Sequence, residues 1–408
     1  MNTRELLRRP GFRALASTYG LSEVADWLTT VALAVLVYDA THSPVAVTVL
    51  FVASKFLPAF AAPAVTARID SVAPRRSLPV LYVLQAAAFG GMAALSGSVP
   101  AVVALATLAG CAALVSRALV RAAVTSELTD PEELRRGNAA LNVIFSTAFA
   151  IGPAVAGGAV AATGAELTLV CGAAVLVWMA LYTAITALPP LVVADEEADD
   201  TWYVKLRRAL SHVRREQALA RLFSLQAVLL VFFTMIPPIE VVYAREALGT
   251  TAAGFGLLMG AWGVGAVVGS ALFARAAKLG TLRLTILASA ALGVSYLGMG
   301  LAGSLVVACV LSALGGVGNG MQWIAFVTAV QERTPSALQA RAMALVESLG
   351  AAVPGLGFAL GGAVAAAVSV RAAYDLAGVA ILAVVGVAVL VARGLPRAEV
   401  AEPVPATA

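Results

Sequence analysis

Residues 131–158 read PEELRRGNAALNVIFSTAFAIGPAVAGG, and residues 335–362 repeat part of this pattern as PSALQARAMALVESLGAAVPGLGFALGG. The two stretches share an opening proline, a leucine three positions later, an alanine–leucine pair and a closing pair of glycines. They lie 204 residues apart, which is half of the 408-residue chain. A repeat of this length predicts two copies of one structural unit.

The composition is that of a membrane protein. Hydrophobic residues make up 61% of the chain and charged residues 12%, whereas soluble domains are about 45–50% apolar and about 25% charged. A membrane helix needs about 20 apolar residues, and the chain has enough for twelve. We therefore exclude a soluble enzyme and predict an all-α membrane protein with twelve transmembrane helices, at 14–38, 44–67, 77–97, 100–121, 138–163, 166–189, 220–243, 252–274, 281–302, 304–330, 342–368 and 371–392.

The longest break between apolar runs divides the chain into two parallel six-helix repeats. We predict an N-terminal bundle at 1–190, a cytoplasmic linker at 191–219, a C-terminal bundle at 220–394 and a short cytoplasmic tail at 395–408. Within the linker, apolar residues at helical spacing between Trp202 and Arg215 predict an amphipathic helix on the inner membrane surface. A solvated linker helix is the alternative.

The distribution of basic residues predicts the orientation. With a cytoplasmic N-terminus, 24 of the 27 lysines and arginines fall on the cytoplasmic side. Such a bias is the usual sign of cytoplasmic loops, so both termini are predicted to be cytoplasmic in a multi-pass protein of the plasma (inner) membrane. The net charge of +4 is accounted for by this bias, and we predict the lipid bilayer, and no nucleic acid, as the partner of the charged surface.

Several chemistries have no residues to support them. The two histidines, His42 and His212, lie outside the apolar runs, and no lysine stands in a nucleotide-binding GxxxxGK[ST] pattern. The three cysteines lie inside apolar runs and imply no disulfide framework. We therefore predict no metal, no cofactor and no enzymatic activity.

Particular motifs carry a resemblance to a known family. They are 26–33 (DWLTTVAL), 37–39 (VYD), Ser43-Pro44, 138–141 (NAAL) and 331–335 (QERTP). On these motifs the chain resembles the major facilitator superfamily, and in particular the bacterial branch with the enterobactin exporter and macrolide and multidrug efflux proteins. The resemblance implies a monomer that exports a small-molecule substrate (an amphipathic drug, siderophore or secondary metabolite) by proton antiport and alternating access, with the proton gradient as its energy source.

The resemblance also implies three groups of site residues. The substrate cavity would lie between spans one, four, seven and ten, with Trp27, Phe232, Phe233, Met235, Asn319, Gln322 and Trp323 as candidates. Gly152, Pro153, Gly157 and Gly158 resemble an antiporter signature in span five, for which simple helix packing is the alternative. Asp70, Arg75 and Arg76 resemble the acid and basic pair of a cytoplasmic gate.

Charged residues inside apolar runs are costly and therefore candidates for function. Asp26 and Lys55 lie at similar depth in neighbouring spans, which predicts either a neutral buried pair or a protonation switch. Glu23 is one turn from Asp26 on the same helix face, and two such carboxylates disfavour each other's ionisation, as suits a proton carrier. Glu347 is a second candidate carrier, or a residue that reaches the membrane surface.

Three more charged residues keep two readings each. Arg117 and Arg121, near the predicted inner end of span four, would reach the membrane surface or contact substrate. Glu240 follows a Pro-Pro pair near the outer end of span seven and would act as a lid or simply be exposed.

Rival functions also stay open. On the same fold the protein could be a facilitator, an importer or a lysolipid transporter, or a membrane sensor that binds ligand without moving it. A membrane enzyme would need clustered His, Asp or Ser residues at an interface, and the sequence shows no such cluster.

Overall fold

The fold is built from long helices. A computed structural model describes residues 6, 8–60, 74–128, 130–186, 188, 217–334 and 339–393, and no strand occurs among them. In chain order the helices are α1 (Pro10–Thr41), α2 (Pro44–Phe60), α3 (Pro74–Ala94), α4 (Val99–Glu127), α5 (Pro131–Thr163), α6 (Ala165–Ile185), α7 (Gln217–Thr234), α8 (Ala252–Ala276), α9 (Thr281–Leu301), α10 (Leu305–Glu332), α11 (Gln339–Ala352, then Pro354–Ala367) and α12 (Val370–Arg393).

The helices follow the predicted order. In the described part of the chain, eleven are long and apolar enough to cross a membrane, while α2 is a shorter apolar helix that ends where the described residues stop. Eleven predicted spans are thus confirmed by length and composition, and the second stays a prediction. The predicted linker helix and the tail lie outside the described residues.

Several helices are longer than the apolar runs that predict them. Helix α1 starts at Pro10 rather than 14, and α4 continues to Glu127 rather than 121. Helix α5 starts at Pro131, where the Asp130 carboxylate accepts hydrogen bonds from two backbone N–H groups, each at 3.0 Å. Such a cap satisfies N–H groups that the helix itself leaves free, so polar turns extend the helices beyond their apolar runs.

Prolines interrupt two of the predicted spans. After Thr234, span seven continues through the short helical turns Pro237–Ile239, Glu240–Val242 and Tyr243–Ala247. Pro237 has no N–H to give to the Phe233 carbonyl, and the Tyr296 hydroxyl donates to that carbonyl instead, at 3.1 Å. Span eleven breaks at Val353, and its second part begins at Pro354.

The first six helices meet the last six along two seams, α5 against α8 and α2 against α11. A shift of 204 residues carries α5 onto α11 and α2 onto α8. Each helix of one seam is therefore related by the repeat to a helix of the other seam. In the seam between α5 and α8, a Cβ on Gly157 would lie 2.6 Å from the Ala252 carbonyl oxygen. In the seam between α2 and α11, Gly362 lies against Thr48, and the repeat relates Thr48 to Ala252. Glycines at these points allow the close approach. The predicted parallel repeat thus accounts for how the two seams are made.

Candidate functional site

A charged cluster lies between α1, α2 and α4. The Lys55 ammonium donates to both carboxylate oxygens of Asp26, at 2.9 and 3.0 Å. Both side chains are about one-third exposed. Their predicted proximity is therefore present as a direct contact, because α1 and α2 run in opposite directions and bring the two residues to the same level.

Arg117 joins the acids of this cluster from α4. Its guanidinium lies 3.6 Å from Glu23 Oε1 and 3.7 Å from Asp26 Oδ2. Glu23 is only 3% exposed, and its Oε1 atom is buried without a hydrogen-bond partner. Two acids and two bases give the cluster no formal net charge, but the Glu23 oxygen is held only by a long ion pair.

A cavity opens beside the cluster inside the first half. It is lined by α1, α2, α3 and α4, including the side chains of Asp26, Lys55 and Arg117. The space open to water is about 40 Å³, enough for a few water molecules. The cavity therefore has room for water next to the charged groups.

The cluster connects directly to the second seam. Lys55 lies in a wide helical turn, Val52–Phe56, where the hydrogen bonds of α2 skip one residue. Such turns often mark functional positions in helices. The next residue, Phe56, packs against Gly355 of α11 so closely that no Cβ would fit there. Lys55 is therefore followed directly in the chain by a residue that contacts the other half.

Arg117 and Arg121 lie deeper in their helix than the sequence indicates. Because α4 ends at Glu127, Arg117 is ten residues, or about 15 Å of helix rise, from its end. Arg121 donates to the Tyr19 hydroxyl at 3.0 Å and stacks its guanidinium over that ring. Both arginines contact α1, and Arg117 is partly buried whereas Arg121 is exposed. The signal in the sequence was the run 122–127, which continues α4 although it is less apolar.

The candidate cavity residues fall into different environments. Trp27, Phe232, Phe233 and Asn319 are partly buried, and Trp323 is exposed. Met235 is fully buried in the core. Gln322 is buried and donates to the Gln226 side chain on α7 at 2.5 Å. The structure brings Phe233 together with Trp262 and Tyr296, which the sequence did not indicate.

The glycines of the antiporter-like signature have different surroundings. A Cβ on Gly152 would lie 2.5 Å from the Trp27 ring, and Gly157 lies against α8, where Gly256 also contacts the Pro153 carbonyl. Gly158 has open space where its side chain would be. Three of the four residues therefore serve close packing, and the antiporter role of the signature stays a prediction.

The predicted cytoplasmic gate is only partly described. Asp70 lies outside the described residues, while Arg75 and Arg76 are exposed at the start of α3. Glu347 is exposed on α11 and is not part of the charged cluster.

A charged latch is present at the opposite end of the bundle, where α1 ends. The Tyr38 hydroxyl donates to Glu246 at 2.9 Å, and Arg245 pairs with Asp39 at 3.0 Å. Both bonds join the first half to the second at this end. We call these four residues the far-end latch.

Metal chemistry has no support in the described part of the chain, where no group of three or more His, Cys, Asp or Glu residues is placed to hold a metal ion. The charged cluster contains two carboxylates, which are groups that can take up and release a proton.

The fold is similar to that of several solved transporters. The nucleoside transporter NupG matches with a TM-score of 0.75 at 12% identity, over 96% of this chain and 99% of that one. A mutant of the peptide transporter POT matches at 0.73 and 15%, over 94% of each chain. A bacterial homologue of the iron transporter ferroportin, in an inward-facing state, matches at 0.72 and 14%, over 93% and 98%.

The sequence itself matches a family model. No curated protein is significantly similar in sequence. A family model of the major facilitator type, described as "Transmembrane secretion effector", matches residues 4–407. That match covers nearly the whole chain, and the structural neighbours are transporters rather than enzymes. The chain therefore belongs to the transmembrane secretion effector family of major facilitator transporters, and it is a multi-pass membrane transporter of small molecules.

Proposed function

We propose that the protein exports small amphipathic molecules across the plasma membrane in exchange for protons, with Asp26 as the group that carries the proton. The observation that carries the proposal is the Asp26–Lys55–Arg117–Glu23 cluster beside a water-sized cavity. The resemblance to bacterial efflux proteins supports the direction of transport.

A proton on Asp26 would change the pairing within the cluster. Neutral Asp26 no longer attracts Lys55, and Arg117 can move from its shared position toward Glu23, whose Oε1 atom lacks a hydrogen bond. An ion pair that loses one charge leaves the other charge buried and costly. The cluster therefore has two arrangements, and protonation selects between them.

The second arrangement would loosen the contact between the halves. Release of Lys55 affects the wide turn Val52–Phe56, and Phe56 is the residue packed against Gly355. The far-end latch also joins the halves, so both contacts have to open for the cavity to face the other side. Protonation on one side and deprotonation on the other would then drive alternating access.

Proton release on addition of substrate tests the proposal. Inside-out vesicles are energised to an acid interior, and a pH-quenched dye is followed as ethidium, chloramphenicol, erythromycin and 2,3-dihydroxybenzoate are added in turn. We expect dye recovery with at least one compound in the wild type and none in Asp26→Asn. Recovery of equal size in both would remove Asp26 from the coupling. No recovery with any compound, while the purified protein binds one of them, would favour a facilitator or a sensor.

A further inference from the structure

The break in span seven holds a second carboxylate, whose surroundings differ from those of the charged cluster. Glu240 lies in the turn after Pro237–Ile239 and is partly exposed. In the described part of the chain it has neither a hydrogen bond nor an ion pair. A carboxylate in an apolar setting is costly without a partner. A cationic group placed beside it would therefore lower the cost of its charge.

A cluster of aromatic rings includes three tyrosines that interact electrostatically with this carboxylate. A fully buried layer is formed by Tyr243, Tyr296 and Tyr374. The ring centroid of Tyr374 lies 4.4 Å from that of Tyr243 and 5.8 Å from that of Tyr296. Phe233 and Trp262 are partly exposed, and both stack with Tyr296, with ring centroids 6.5 and 5.7 Å apart. We call these five residues the aromatic cluster.

One hydroxyl in the buried layer has no partner. Tyr243 donates to the Met299 carbonyl at 2.6 Å, and Tyr296 donates to Phe233. The Tyr374 hydroxyl is buried without a hydrogen-bond partner, and Glu240 interacts electrostatically with that phenol and with Tyr296. An unpaired buried hydroxyl is rare in folded proteins. It lies within electrostatic reach of the unpaired carboxylate, so two polar groups without a hydrogen-bond partner lie in the same region of the second half.

We propose, on the basis that the protein transports amphipathic solutes as above, that Glu240 and the aromatic cluster bind the cationic group of an organic cation. A carboxylate supplies the opposite charge, and aromatic faces attract a cation within about 6 Å of the ring centre. The Asp26 cluster cannot offer the same, because Lys55 and Arg117 already neutralise its two acids. Substrate charge and proton are thereby recognised in separate halves of the molecule.

Two probes of matched size and opposite charge test the site. Equilibrium dialysis of the detergent-purified protein measures binding of tetraphenylphosphonium and of tetraphenylborate. We expect the wild type to bind the cation and not the anion, and Glu240→Gln to weaken cation binding about tenfold or more, as for loss of a desolvated charge contact. Tyr374→Phe keeps the ring and should weaken binding about threefold or less.

A second readout places the probe at the aromatic cluster. Tetraphenylphosphonium should quench the tryptophan fluorescence of the wild type, and Trp262→Phe should lose most of the quenching while it retains binding. Thermal unfolding of each variant confirms that it is folded. Equal binding of both probes, no binding of the cation by the wild type, or unchanged affinity in folded Glu240→Gln would each overturn the proposal.

The test is separate from that of the proposed function, because it measures binding without a proton gradient. Glu166→Gln serves as the control and should bind tetraphenylphosphonium within about twofold of the wild type, since this exposed acid belongs neither to the charged cluster nor to the aromatic cluster. A loss of binding in this control as large as in Glu240→Gln would overturn the assignment of cation binding to Glu240. Transport of neutral or anionic compounds alone, with no cation binding, would leave proton antiport intact and remove the cation site.

Discussion

Charges join α1 and α4 in the first half of the molecule, whereas a pair of neutral amides joins α7 and α10 in the second. Arg117 lies 3.6 Å from Glu23, and Gln322 donates to Gln226 at 2.5 Å. After the 204-residue shift, Gln226 and Gln322 fall within one position of Glu23 and Arg117. The same contact between related helices is therefore made by ions in one half and by amides in the other.

The other two positions of the charged cluster are also charged in the first half and uncharged in the second. Leu230 and Met259 stand at the positions related to Asp26 and Lys55. Because the second half packs the same helices without charge, packing alone does not require ions at this level. Buried ion pairs are a poor source of stability compared with apolar groups. The difference therefore favours the proposal that the charges of the first half act in proton coupling.

The largest expected effect comes from making the first half resemble the second. The double variant Asp26→Leu/Lys55→Met places in the first half the residues that the second half has at these positions. Replacement of both partners by apolar residues should change stability by only about 1 kcal/mol, whereas proton-driven transport should be lost. Thermal unfolding and vesicle transport check the two parts. Retained proton-driven transport would show that the comparison misassigns the function of the pair.

Removal of a single charge should cost more stability than removal of both. Arg117→Gln leaves the buried Glu23 without its cation, and we expect a loss of about 3 kcal/mol. The matched change in the second half, Gln322→Leu, leaves a neutral amide unpaired and should cost about 1–2 kcal/mol. Thermal unfolding in the same detergent compares the two. An equal or larger loss in Gln322→Leu would contradict the difference between the halves.

The seam between the halves offers a matched pair of adjacent glycines. Gly157→Ala would place a Cβ 2.6 Å from the Ala252 carbonyl oxygen and 2.7 Å from the Gly256 Cα. We expect this overlap to cost about 1–2 kcal/mol. Gly158→Ala enters open space and should be neutral or slightly stabilising. Similar melting temperatures for the two variants would mean that the halves are not held at this contact.

The far-end latch should have the smallest effect. Asp39→Asn removes a pair in which the acid is about half exposed, so about 0.2–1 kcal/mol is expected. The population open at the far end should then rise up to about fivefold, as measured by distances between spin labels on the α1–α2 and α7–α8 loops. Glu166→Gln, a change at an acid that lines the cavity next to the latch, should leave the distances unchanged. A distance change in the control as large as in Asp39→Asn would remove the latch from the gating.

The fold could be predicted from the sequence because apolar runs of membrane length and a 204-residue repeat are explicit in it. Helix ends could not, since Pro10 and the Asp130 cap lie outside the apolar runs. The contact of Asp26 with Lys55 followed from their equal depth in neighbouring spans. Arg117 was misplaced because its helix continues through the less apolar run 122–127.

The surroundings of Glu240 could not be predicted at all. Its neighbours Tyr296 and Tyr374 come from α9 and α12, and only the packing of these helices against the proline break brings them to the carboxylate. A lone acid after two prolines gives no indication of which rings will surround it. The sequence therefore identified the charged pair between adjacent helices and missed the site assembled from distant ones.

The most direct test of the central claim separates proton coupling from substrate movement. The compound that releases most protons from wild-type vesicles is used in two assays on Asp26→Asn, accumulation against its gradient and exchange of labelled for unlabelled compound at equilibrium. We predict that accumulation is lost while exchange continues, and that Gln226→Leu/Gln322→Leu retains both. Accumulation that persists in Asp26→Asn, or that fails equally in the glutamine variant, would contradict the assignment of proton coupling to the charged half.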